Sequence, residues 1–178
     1  MISFLFFWKT RYAGNAQLWF TDTDSLVVHV KTPDIYADFK DMKEHFDLSG
    51  LDKKHPAYDA TNKRVVGKFS IEFEGKIIKE FCALKAKMYA FKLDDNKEKM
   101  TAKGCPKSSV NKQMNYDKYF NTLMEGDIQN INFKCIRNKN HKLYTLGVNK
   151  EGLTYFDNKR FYLKTNESRP YGHYKNKK

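Results

Sequence analysis

The chain has 178 residues, with 33 Lys+Arg against 21 Asp+Glu, a formal net charge of +12, and 40% hydrophobic and 15% aromatic residues. That size and apolar content support one domain or two small ones and exclude a large multidomain machine. The longest apolar run, Met1 to Trp8, is too short for the roughly 20 residues of a membrane-spanning helix, and it lacks the basic start and small-residue cleavage site of a secretory signal. The expectation is an intracellular protein without a membrane partner, in a nucleus, an organelle or a virus factory alike. Cys82, Cys105 and Cys135 form no Cys-x-x-Cys pair, which argues against a disulfide framework or a zinc site.

In chain order, the apolar start from Phe4 to Trp8 has no evident partner. Two β-prone runs, 18–20 and 26–30, then flank the polar centre Thr21-Asp-Thr-Asp-Ser25 and predict a hairpin. Pro33 and Asp34, both favoured at a helix start, open a predicted helix over 33–42. Residues 47–64, with Gly50, Pro56, Asp59 and Asn62, read as loop. Alternation over 64–73, with a slip at Gly67, predicts a strand with one buried face, ended by a turn at Glu74-Gly75. A strand pair or bent strand follows over 76–93, and the polar, lysine-rich stretch 94–112 reads as the boundary between subdomains. Asn115 caps a helix to about Glu125, with Tyr116, Tyr119, Phe120, Leu123 and Met124 on one face and Gly126 at its C-terminal end. Short strands are predicted at 131–136, 142–148 and 160–163. The fold class is α+β.

Charge is lopsided. Up to Ala60 there are 7 basic and 9 acidic residues, net −2; beyond it there are 26 and 12, net +14. A polyanion against the second part, with local acidic chemistry in the first, points to nucleic acid.

The acidic chemistry is the turn. Asp22 and Asp24 flank Thr23, and two carboxylates held together repel until a divalent cation relieves them. Hard oxygen ligands suit Mg²⁺, the ion of two-metal phosphoryl transfer. In the string Phe-Thr-Asp-Thr-Asp-Ser-Leu, residues 20–26, this turn resembles the motif C hairpin of family B DNA polymerases, usually Tyr-x-Asp-Thr-Asp-Ser. The resemblance implies that Asp24 is a direct metal ligand and Asp22 a supporting one. Phe20 stands where the usual tyrosine would be.

Were 84–91 one extended segment, Lys85, Lys87, Tyr89 and Phe91 would share a face, with Ala86, Met88 and Ala90 on the other. Ammonium groups and a tyrosine in that order suit phosphate and sugar contacts. Lys87-Met-Tyr89 resembles the Lys-x-Tyr motif of the protein-primed branch of family B, which holds the primer strand. Further strings, Val-Val-Gly-Lys-Phe (65–69), Gly-Lys-Ile-Ile-Lys-Glu-Phe (75–81), Lys-Gly-Cys-Pro-Lys (103–107), Asp-Asn-Lys-Arg-Phe (157–161) and Tyr-Gly-His-Tyr (171–174), resemble the viral, organellar and transposon-type enzymes. By this resemblance residues 1–95 are the later part of a polymerase palm, the Asp-Thr-Asp hairpin plus a helix. Residues 96–178 are then a small α+β thumb gripping primer–template duplex, with Lys103 and Lys107 on its backbone.

The motif A aspartate, the fingers lysine and an exonuclease domain have no candidate here, so a C-terminal fragment is expected to be inactive without the missing remainder of the polymerase. Primer–template DNA and a deoxynucleoside triphosphate are the implied partners. A noncatalytic basic DNA-binding module is the main alternative. A stand-alone two-metal nuclease would need further carboxylates, for which Glu72, Glu74 and Glu80 qualify by type alone. No phosphate-binding loop or dinucleotide fingerprint occurs, and the five histidines are scattered.

Overall fold

The computed structural model describes residues 2–22, 24–157, 160–163 and 167–176, with side chains of the first helix from Phe7 onward. Thr23 of the acidic turn, and Asn158 and Lys159 of the 157–161 string, lie outside these. The chain is α+β, built from small and mostly antiparallel sheets. It divides into two compact units: residues 1–79 with 93–96, and residues 80–92 with 97–178. The segment 80–92, grouped by sequence with 1–95, therefore clusters with the second unit.

In the first unit, α1 (Ile2–Tyr12) places Trp8 and Tyr12 one turn apart on a single face. Their rings stack at 5.3 Å, and Trp8 meets Phe46 edge-on at 6.3 Å. Both are buried with Met42, Phe46, Leu48, Leu51 and Ala57, so the end of the apolar start has its partner in this core. Arg11 of α1 reaches Asp38 and Asp41 of α2 (Ile35–Asp41), each at 3.3 Å. The predicted helix over 33–42 is shorter because Asp34 serves as the N-cap in extended conformation. Its carboxylate accepts the Tyr36 and Ala37 N–H groups and leaves Pro33 outside.

The hairpin strands are β1 (Ala16–Asp22) and β2 (Ser25–Val30), and the parallel pair β3 (Phe46–Asp47) with β4 (Phe69–Ser70) brackets the long loop. The loop is not all surface, since Leu48, Leu51 and Ala57 plug the core from it. The strand predicted over 64–73 shrinks to the two residues of β4. Arg64 (φ 58°) and Gly67 (φ 85°) turn the chain into the left-handed region, and Val66 is 98% exposed, so alternation there reflects turns rather than a buried face. At the predicted turn, Phe73, Glu74 and Gly75 all have positive φ. A Cβ on Gly75 would run into Leu51, and the Tyr36 hydroxyl donates to the Gly75 carbonyl.

Asp47 latches this loop: its carboxylate accepts the Ser49 and Arg64 N–H groups, both at 3.0 Å. Burial alone would raise its pKa, but the bonds from Ser49 and Arg64, with Lys63 nearby, outweigh that and lower it. Asp38 is likewise lowered, chiefly by the Thr32 hydroxyl at 2.6 Å, against some desolvation and with help from Tyr12 and Arg11. Depressed folded values contribute stability above the unfolded carboxyl value of about 3.9, and this is lost as pH falls through them. Acid is therefore expected to destabilise the first unit as pH falls below about 4, read as a lower denaturation midpoint by tryptophan fluorescence, because both tryptophans, Trp8 and Trp19, lie in it. Asp47→Asn should flatten that dependence.

In the second unit, β5 (Ile78–Lys85), β6 (Met88–Leu93) and β7 (Glu98–Ala102) form one sheet in that order. The polar stretch 94–112 thus carries β7 and also α3 (Lys107–Gln113), neither of them predicted. On one face of the sheet Cys82, Met88, Ala90 and Ala102 join Val110, Met114, Tyr116, Tyr119, Ile131 and Leu153 in the core. The helix α4 (Tyr116–Glu125) has the expected Asn115 N-cap and left-handed Gly126. Its buried stripe, however, is Tyr116, Tyr119 and Thr122, while Phe120, Leu123 and Met124 are exposed. Tyr119 donates its hydroxyl to the Thr101 carbonyl at 3.0 Å.

The two short strands predicted at 131–136 and 142–148 are one long ribbon, β8 (Gln129–Lys139) with β9 (Lys142–Leu153), closed by Asn140 and His141 at positive φ. At its root Gly152 is the extra residue of a bulge, and a Cβ there would sit 2.5 Å from Ile131 Cγ1. A short hairpin, β10 (Arg160–Tyr162) with β11 (Ser168–Pro170), ends the unit.

Candidate nucleic-acid interface

The acidic hairpin forms as expected. Its register sets Asp22 opposite Ser25, Thr21 opposite Leu26 and Phe20 opposite Val27, so Asp24 lies in a two-residue connection and Asp22 closes the last pair. Asp22 is half-buried and Asp24 exposed. Ala16, Leu26, Val28 and Val30 pack on the first unit's core and hold the hairpin there. A register shift between Leu18 and Phe20 makes Trp19 a bulged residue. It stacks on His29 at 4.9 Å, and its indole N–H points to Gln17 at 3.4 Å. Sequence reasoning did not single out this pair.

The geometry offers two hard carboxylate ligands and no more: among the described residues no group of three or more His, Cys, Asp or Glu side chains is placed to hold a metal. Of the acids weighed for a nuclease, Glu74 lies 4.0 Å from Lys76 and Glu80 lies 3.1 Å from Lys92, each in an ion pair.

The basic stripe is rearranged. Residues 84–91 are not one extended segment: Ala86 and Lys87 form the two-residue connection between β5 and β6, which enforces antiparallel pairing. Lys87, at φ 59°, is exposed at the tip of that turn rather than on a strand face. Lys85 ends β5, and its ammonium donates to the Phe156 carbonyl at 3.1 Å, which gives it a tethering job within the second unit. Tyr89 and Phe91 do share a face, with Phe81 beside them at 6.4 and 5.0 Å, but Phe91 is buried. Of the residues placed on the opposite face, Met88 and Ala90 are core, whereas Ala86 is exposed in the turn. Lys103 and Lys107 are exposed on either side of the Gly104 turn, Lys107 as the first residue of α3.

Missing from the sequence-based site was the ribbon. Lys134, Arg137, Lys139 and Lys142 stand along it, and no Asp or Glu occurs between Asn130 and Lys150. Pairing puts Arg137 opposite Tyr144 and Lys139 opposite Lys142 on one face, where Lys139, Asn140, Lys142 and Tyr144 line an open depression at the tip. The available signal was the unbroken absence of acids over two β-prone runs joined by Asn140, a residue that tolerates the left-handed region.

Among the described residues no helix is long and apolar enough to cross a membrane. The chain matches no protein-family model, no curated protein and no solved structure.

Proposed function

We propose that this chain is the palm-and-thumb portion of a family B DNA-directed DNA polymerase, holding primer–template DNA and supplying Asp24 and Asp22 to a two-metal site for nucleotidyl transfer to a primer 3′ end. The observation that carries this reading is the Phe-Thr-Asp-Thr-Asp-Ser-Leu string on a hairpin whose register leaves Asp24 in a two-residue connection beside Asp22. Two hard carboxylates suit Mg²⁺, which takes waters and substrate phosphates as its other ligands and supplies charge neutralisation on the triphosphate. A third carboxylate and a triphosphate-binding lysine are contributions of the rest of the polymerase, so the chain alone binds primer–template and extends nothing. Lys87, on its turn, contacts the primer strand, and the basic second unit contacts the duplex backbone.

The second reading, a noncatalytic duplex-binding module, is favoured by the acid-free ribbon alone. Binding of a recessed 3′ primer–template against a blunt duplex in Mg²⁺ separates the two. The polymerase reading expects preference for the recessed end, lost in Asp24→Ala, and a salt slope lowered by about one in Lys87→Ala. Equal binding of both DNAs, unmoved by Asp24→Ala, leaves the noncatalytic module. Metal-dependent primer extension by the chain alone, abolished in Asp24→Ala, would show that the site is complete without a partner.

A further inference from the structure

We propose that Tyr155, Phe156 and Tyr162 form a stacking platform for unpaired bases of a DNA strand, beside the turn that carries Lys87. The rings are preassembled: Tyr155 meets Phe156 edge-on at 6.5 Å and 71°, and Phe156 and Tyr162 lie 5.3 Å apart at a 35° tilt. Each is about half exposed, at 51, 47 and 55%, so each keeps open surface after its packing within the unit.

The assembly is anchored at three points. The Tyr155 ring lies over the backbone at Gly126, where a Cβ would come within 3.3 Å of it. The Tyr162 hydroxyl accepts the Asp157 N–H at 3.3 Å, and the Phe156 carbonyl accepts Lys85 at 3.1 Å. That last bond fixes the rings beside the β5–β6 connection, two residues from Lys87.

Charge selects the occupant. Lys85 is bonded to a neutral carbonyl and Arg160 to the hydroxyl and carbonyl of Ser168, so neither cation is neutralised by these partners. Asp157 is the single acid from Leu153 to Leu163. Exposed aromatic faces in a unit rich in lysine and arginine suit a polyanionic strand whose bases are unstacked, because every base offers a π-face and the phosphates meet the cations. A paired duplex hides those faces. The proposal rests on the reading above only in taking DNA as the partner.

The test is anisotropy of the purified chain with three probes: a blunt duplex, the same duplex with an unpaired 3′ tail, and a short oligothymidylate. Wild type should bind the tailed duplex about tenfold tighter than the blunt one. Phe156→Ala with Tyr162→Ala should erase that difference and weaken oligothymidylate binding without changing blunt-duplex affinity, with the folded state checked by far-UV circular dichroism. Phe156→Tyr, which keeps the ring, should behave as wild type. Equal binding of tailed and blunt duplex by wild type, or a double variant that is folded and unchanged, overturns the platform. Ring-dependent oligothymidylate binding without any duplex binding would leave the platform standing and sink the polymerase reading instead.

Discussion

Changing Arg137, Lys139 and Lys142, which share one face, together to alanine is expected to weaken duplex binding on the order of 10²-fold near 50 mM salt and to lower the log–log salt slope by about three. Each lysine or arginine that neutralises a phosphate releases a condensed counterion, so the slope counts contacts. The ribbon is the place to remove them because it carries no opposing carboxylate from Asn130 to Lys150 and its outer half contributes little to the core. Ile136 and Leu143 are each 73% exposed, and only Ile131, Gly152 and Leu153 at the root are buried. The variant should therefore keep the wild-type melting temperature while losing DNA. An unchanged slope would mean that the ribbon does not hold the duplex.

Tyr119→Ala is expected to destabilise the second unit by about 3–5 kcal/mol. The side chain is fully buried among Cys82, Met88, Ala102, Val110, Ile131 and Leu153, and no smaller residue fills the space. Tyr119→Phe isolates the hydroxyl: it leaves the Thr101 carbonyl without its donor and should destabilise by about 1 kcal/mol. Far-UV circular dichroism follows both units, whereas tryptophan fluorescence follows only the first. The expected result is a lowered circular dichroism transition with the fluorescence transition in place.

The acidic hairpin and α4 were legible because their signals are local. A polar centre between two β-prone runs, and Asn115 and Gly126 at either end of a helical period, do not depend on what packs nearby. Where the reading failed, packing decided. The helix stripe was drawn through Phe120, Leu123 and Met124, but the core takes Thr122, whose hydroxyl is satisfied by the Lys118 carbonyl at 2.7 Å. The polar strand β7 is held by its neighbour β6 and by the Tyr119 bond to Thr101, neither visible in its own residues. The Lys85–Phe91 stripe was misread because alternation persists through a two-residue connection, which only the positive φ of Lys87 reveals. Of the candidate site, the pair of aspartates could be placed from sequence. The ribbon and the three rings could not, since their grouping depends on pairing register and on a bond from Lys85 across 71 positions.

The ribbon also constrains how this chain can change over generations. With Arg137 locked opposite Tyr144 and Lys139 opposite Lys142, side chains alternate between its faces with a period of two. An insertion of one residue in either strand would send every later cation to the opposite face, while a matched insertion of two per strand would lengthen the arm and leave its chemistry intact. The Gly152 bulge at the root and the Asn140-His141 turn at the tip fix the frame from both ends. A single inserted residue keeps the frame only where a bulge absorbs it, as Gly152 does at the root.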